Sequence, residues 1–272
     1  MAVPTEYSPY NPKNVPVTVQ DMERILHEHG LAGYAIKNLP LFQKAMVHTS
    51  YVRRFEYTTL TGEIATLAPC PAGVMDLQPE SYEQLEFRGD SILGASVASY
   101  LCDRYYDESP GFLTNSRKLI VRNKTLGRVA KILGLDKFFV ISKHVEDMKS
   151  EFGRNNPEKL GDVLEAFLAA LWIDSGYDFK SFHTFVVSLI ETHLDIPTLL
   201  REDDNYKDRM QKHCQQVFKY TPIYTMLDNK DGYFIMAVCD TNNTILGTGK
   251  ATTKKQAEQY ACKQALEKLK LV

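Results

Sequence analysis

At 272 residues, with 44% hydrophobic and 24% charged side chains, the chain has the make-up of a soluble globular protein of one large or two smaller domains. Its net charge of −2 hides a split: residues 205–272 carry 11 Lys+Arg against 6 Asp+Glu, and the residues before them 21 against 28, which fits a tail that meets a polyanion and a body that holds cations. No apolar run approaches the roughly 20 residues of a membrane helix, and the five cysteines (Cys70, Cys102, Cys214, Cys239, Cys262) lack the spacing of a disulfide framework or zinc site.

In chain order, residues 1–18 read as an extended arm, polar and Pro-rich where a signal peptide would be apolar. An intracellular, cytoplasmic protein with free buried thiols and no membrane partner is therefore expected. Val19 to Tyr51 carries apolar pairs at helical spacing, Ile25-Leu26 and Leu41-Phe42, and predicts two helices. Residues 52–80 hold turn signals and no sustained period, so a surface insertion is expected; an inert role ranks ahead of substrate access or dimerisation. Helical patterns resume at Ser81 and run to about Leu194, broken near residues 109–111, 134–136 and 153–157. After an acidic linker, residues 201–205, the texture becomes helix (206–218), strands (222–227, 233–239, 244–251) and helix (253–271).

Two segments carry the chemistry. In YEQLEFRGDSIL, Glu83, Glu86 and Asp90 stand at i, i+3 and i+7, one stripe of a helix. Like charges so placed repel, and a cation among them removes the repulsion. In KLGDVLEAFLAALWID, Asp162 and Glu165 share a face of a helix whose remainder, from Leu160 through Leu171, is apolar. Acids on a buried helix are unfavourable unless paired or coordinating a metal. Two such helices together would give an all-oxygen site suited to Mg²⁺ or Mn²⁺, and to metal-assisted phosphodiester hydrolysis. Taken alone, either segment reads first as an ordinary solvated face.

These segments resemble the ribonuclease III family. YEQLEFRGDSIL is similar to its signature and KLGDVLEAFLAALWID to its second acidic motif; residues 113–135, with Val-x-Asn-x-x-Leu, resemble its connecting helices, and AMVHTSY its His-x-Ser element. The resemblance implies that Glu86, Asp90, Asp162 and Glu165 are catalytic carboxylates that bind Mg²⁺, with Glu83 a supporting acid. It implies hydrolysis of double-stranded RNA by a metal-activated water, leaving 5′-phosphates, 3′-hydroxyls and short 3′ overhangs. It also implies a homodimer in which Phe87 inserts into the partner; read from the residues alone, Phe87 is as readily a core side chain. Arg88 and Ala169 depart from the family pattern at positions that bear on packing. His48 reads as a hydrogen-bonded structural histidine.

The basic tail resembles a double-stranded RNA-binding domain. Thr252 or Thr253 can cap its last helix, Lys254 and Lys255 follow in the first turn beside the positive helix end, and Ala257, Ala261 and Ala265 form a stripe that can lie close on a sheet. Gln211 matches a position that reaches the RNA minor groove, Lys212 stands where an acid is frequent, and Lys230 lies in a loop lacking the family's usual tip. The expected whole is an all-α endonuclease domain (residues 19–200) followed by a small α-β-β-β-α domain (206–272), in the layout of bacterial, viral and some fungal members. The alternative is a protein that binds and sequesters double-stranded RNA, with cleavage secondary or lost.

Overall fold

A computed structural model describes residues 6–58, 64–148, 152–201, 205–230 and 232–271. The start of the expected arm, residues 59–63 of the insertion, 202–204 of the expected linker and Asp231 lie outside the described residues. The chain divides into two compact units, Met1–Leu200 and Arg201–Val272.

The first unit is built from α1 (Val19–Glu28), α2 (Leu39–Ala45), α3 (Glu83–Arg104), α4 (Pro110–Ile120), α5 (Asn123–Ile132), α6 (Lys143–Glu146), α7 (Pro157–Asp174) and α8 (Phe179–His193), with α9 (Ile196–Arg201) at its end. Local chemistry sets the boundaries. Thr18 and Asp21 form a capping box for α1, Ser109 caps α4 ahead of Pro110, and Asn156 accepts from the Glu158 and Lys159 amides ahead of Pro157. Helix α7 is apolar nearly all round and so becomes the centre, with Leu160, Val163, Leu164, Phe167, Leu168 and Leu171 at most 1% exposed. Burying each such side chain stabilises the fold by about 1.5–3 kcal/mol before conformational entropy is set against it. Ala169 is fully buried on this helix, while Arg88 is exposed on α3.

Glycines let α3 and α5 approach α7. A Cβ at Gly89 would lie 1.9 Å from the Glu165 carbonyl oxygen, and one at Gly127 would lie 2.2 Å from the Pro157 carbonyl oxygen. Gly161 meets the Asn123 backbone in the same way, at 2.8 Å. The glycine of the signature thus fixes the distance between the two acidic helices.

The insertion lies mostly at the surface but is pinned to the core at three points. A small sheet of order β1–β3–β2 joins the arm (β1, Glu6–Tyr7) to insertion strands β2 (Tyr57–Thr58) and β3 (Ile64–Leu67). Tyr57, Ala65 and Leu77 are buried in the main core, and the Tyr51 hydroxyl donates to the Met75 carbonyl at 2.6 Å. Isolated anchors of this kind leave no period in the sequence. The arm is fastened as well: the Asn14 side chain donates to the Ile141 carbonyl at 2.9 Å and accepts from its amide at 3.1 Å. All five cysteines are free, but Cys70 and Cys102 are exposed, contrary to the expectation of buried thiols. Among the described residues no helix is long and apolar enough to cross a membrane.

The second unit runs α10 (Tyr206–His213, continued by a wide turn to Phe218), β4 (Ile223–Lys230), β5 (Tyr233–Cys239), β6 (Ile245–Ala251) and α11 (Lys254–Lys268), with an antiparallel sheet of order β4–β5–β6. Thr253, rather than Thr252, caps α11 through the Gln256 amide. Ala257, Ala261 and Ala265 are buried against Gly247 and Gly249, where a Cβ would lie 2.3 and 2.2 Å from helix carbonyls. Small residues on both surfaces bring the helix down onto the sheet. Strand β4 extends through Lys230, which pairs with Tyr233, so Lys230 belongs to the strand end rather than to a loop.

Candidate metal centre

Where α3 crosses α7, carboxylate oxygens of Glu86, Asp162 and Glu165 lie within 4.8 Å of one another. Asp90, one turn beyond Glu86 and exposed, is not within that group, yet its charge acts on both Glu86 and Glu165. Glu83 stands exposed in the first turn of α3 and also acts on Glu86. Among the described residues, no ion pair involves any of these five acids.

The electrostatic outcome is mutual frustration. Burial, then the charges of Asp90, Glu86 and Asp162, pushes the Glu165 carboxyl up to about 8. Burial and the neighbouring acids raise Glu86 in the same direction. Asp162 is also raised by burial, while hydrogen bonds from Tyr82 and Asn123 oppose the rise by favouring its anion. Those bonds are Tyr82 Oη to Oδ2 at 3.3 Å and Asn123 Nδ2 to Oδ1 at 2.7 Å. A hard divalent cation bound by these oxygens would relieve the repulsion, so the donor set fits Mg²⁺ or Mn²⁺.

No local pattern in the sequence assigns a role to Tyr82, Asn123 or Lys159. Asn123 was visible only as the Asn of a Val-x-Asn pattern. Lys159 precedes Asp162 by one turn; burial lowers its pKa, and its ammonium donates to the Phe152 carbonyl at 2.8 Å. His48 is neutral, its pKa lowered to about 4 by burial and the Lys159 charge, and its Nδ1 accepts from the Ser50 amide at 3.1 Å. Phe87 is 77% exposed beside Gln84, Arg88, Ser91 and Ile92. It is no part of this chain's core.

In the second unit, the ammonium of Lys254 lies 5.7 Å from the Phe234 ring centre and that of Lys250 lies 4.7 Å from Tyr233. Lys230 is the cross-strand neighbour of Tyr233, so three cations share one end of the sheet. Nothing in the sequence singles out Lys250, since a lone lysine in a strand reads as a solvated face. Lys255 is exposed in the first turn of α11. Gln211 is half-buried on α10, and Lys212 pairs with Asp208 at 2.9 Å.

The Ribonuclease III domain family matches residues 83–176, and the double-stranded RNA binding motif matches residues 206–269. A Ribonuclease 3 of Dehalococcoides mccartyi is 31% identical over 238 residues, covering 86% of this chain and 90% of the relative. The chain belongs to the ribonuclease III family. A second Ribonuclease 3, from Listeria monocytogenes, is 31% identical over 245 residues, covering 87% of this chain and 94% of its own length. The solved nuclease domain of ribonuclease III from Campylobacter jejuni is 25% identical with a TM-score of 0.48, covering 64% of this chain and 96% of that domain. This ribonuclease III is thus a double-stranded-RNA endoribonuclease by family, with a helical nuclease domain and one C-terminal binding domain.

Proposed function

We propose that this ribonuclease III cleaves double-stranded RNA in a reaction that depends on Mg²⁺, with Mn²⁺ able to substitute, and leaves 5′-phosphate and 3′-hydroxyl ends with short 3′ overhangs. The observation that carries the reading is the convergence of Glu86, Asp162 and Glu165 from two helices into one cluster that, among the described residues, forms no ion pair. In this proposal these three carboxylates hold the ion, and Asp90 completes the four-acid set from the exposed side. A bound divalent ion supplies Lewis acidity toward water and the phosphodiester. The chain's own part is to hold oxygen donors at the α3–α7 crossing and to keep bulk water from Glu165, which is 4% exposed.

The second unit supplies affinity. Lys230, Lys250, Lys254 and Lys255 present cations to phosphates, so binding follows helix shape and salt rather than base sequence. The proposal includes a homodimer, because Phe87 and its neighbours expose an apolar patch on α3 that water disfavours.

The test is a gel assay of long double-stranded RNA with the wild type and Glu165→Ala, each in Mg²⁺ and in EDTA, with binding measured in Ca²⁺. Cleavage by the wild type in Mg²⁺ only, absent in Glu165→Ala while binding persists, is the expected result. Tight binding without cleavage by either protein in any metal would replace this reading with that of a sequestering protein.

A further inference from the structure

We propose that Tyr82 and Asn123 are positioning residues that grip both oxygens of Asp162 and thereby set the affinity of the carboxylate cluster for a divalent cation. The inference rests on the metal-dependent reading above. Among the described residues, neither Glu86 nor Glu165 receives a hydrogen bond at its carboxylate, so Asp162 is the pre-set member of the three.

The grip is rigid because both donors are themselves anchored. Asn123 has two amide protons; one goes to Asp162 Oδ1 at 2.7 Å and the other to the Glu158 carbonyl at 3.2 Å, one turn earlier on the same helix. Tyr82 donates its backbone N–H to the Val47 carbonyl at 2.8 Å, and its ring packs beside His48 and Phe139 with centroids 6.0 and 6.4 Å away. Neither donor can follow Asp162 if the carboxylate turns. Each Asp162 oxygen therefore spends one lone pair on a fixed donor and keeps the other for a cation. The carboxylate is held in one rotamer, and less ordering entropy is lost when the ion binds.

The experiment compares the full-length wild type with Tyr82→Phe, Asn123→Ala and Asp162→Asn. Mg²⁺ affinity is read without RNA, by calorimetry and by the Mg²⁺-induced rise in Tm. In parallel, cleavage is followed against Mg²⁺ concentration, and RNA binding is measured in Ca²⁺. Partners that orient a metal ligand typically change affinity about 10–100-fold, and Asn123→Ala is expected in that range, with Tyr82→Phe at or below its lower end. The loss should show as a shift in half-saturating Mg²⁺, with the plateau rate largely recovered and RNA binding retained. Tyr82→Phe keeps the ring in its packing and so decides the question even if Asn123→Ala lowers Tm. Wild-type Mg²⁺ affinity in Tyr82→Phe and Asn123→Ala, with Asp162→Asn weakened, overturns the positioning role alone. Wild-type Mg²⁺ affinity in Asp162→Asn overturns the metal reading itself.

Discussion

Glu165 concentrates the conflict on which the site is built. Its carboxyl is raised from 4.5 to about 8 in the folded chain, so folding favours its protonated form. For a carboxyl raised on folding, the associated stability is fully present below the unfolded value of 4.5 and is lost as pH climbs through 8. At about 1.4 kcal/mol per pH unit, and with the repulsion shared among its neighbours, the loss at pH 8 is of order 1–3 kcal/mol. Glu165→Gln should therefore melt several degrees above the wild type in EDTA at pH 8, and together with it near pH 4.5. Equal Tm differences at the two pH values would show that the substitution acts through packing. The spacing of Glu83, Glu86 and Asp90 displayed this conflict in the sequence, because helical geometry alone places them on one stripe. The grip on Asp162 was hidden, because its donors lie 80 and 39 residues away and no local period records such a pairing.

At the level of elements, the site is a crossing of helices, and its precision lies in what is missing from Gly89. An added Cβ would lie 1.9 Å from the Glu165 carbonyl oxygen, a distance that backbone can relieve only by separating α3 from α7. Overpacking of this kind typically costs about 1–3 kcal/mol, and here it also spreads the carboxylates. Gly89→Ala should lower Tm by several degrees and abolish cleavage, while RNA binding in Ca²⁺ stays within about two-fold of the wild type, because the binding domain is built around a core of its own. Retained cleavage would show that the crossing tolerates a methyl group. The same device recurs in the second unit, where Gly247 and Gly249 meet the Ala257–Ala261–Ala265 stripe. In the sequence the alanine half of that contact was legible, since its spacing of four is helical. The glycine half was not, because strand glycines have no partner until the sheet is folded beneath the helix.

For the whole molecule, the unsettled surface is α3's outer face. Phe87 is 77% exposed, an unusual position for a phenylalanine in a monomer, and Arg88 beside it adds a charge where the family pattern has an aliphatic side chain. Because Phe87 makes little contact within its own chain, Phe87→Asp should leave the Tm of the isolated chain nearly unchanged. It should shift the species seen in sedimentation from dimer to monomer and reduce cleavage. A wild-type protein that sediments as a monomer at micromolar concentration would remove this patch from the dimer proposal.

The linear order of residues was enough to mark the family, the helical nuclease domain, the small binding domain after it and the acids that belong to the motifs. It could do so because those features are written in local periods and short spacings. Tertiary structure decided the rest. It drew Glu86, Asp162 and Glu165 into one group and left Asp90 outside the 4.8 Å set. It also put Phe87 on the surface and seated Tyr57, Ala65 and Leu77 of the insertion in the core. Those outcomes depend on how close two helices can come and on which distant side chain meets which backbone group, and both are fixed only when the chain closes on itself.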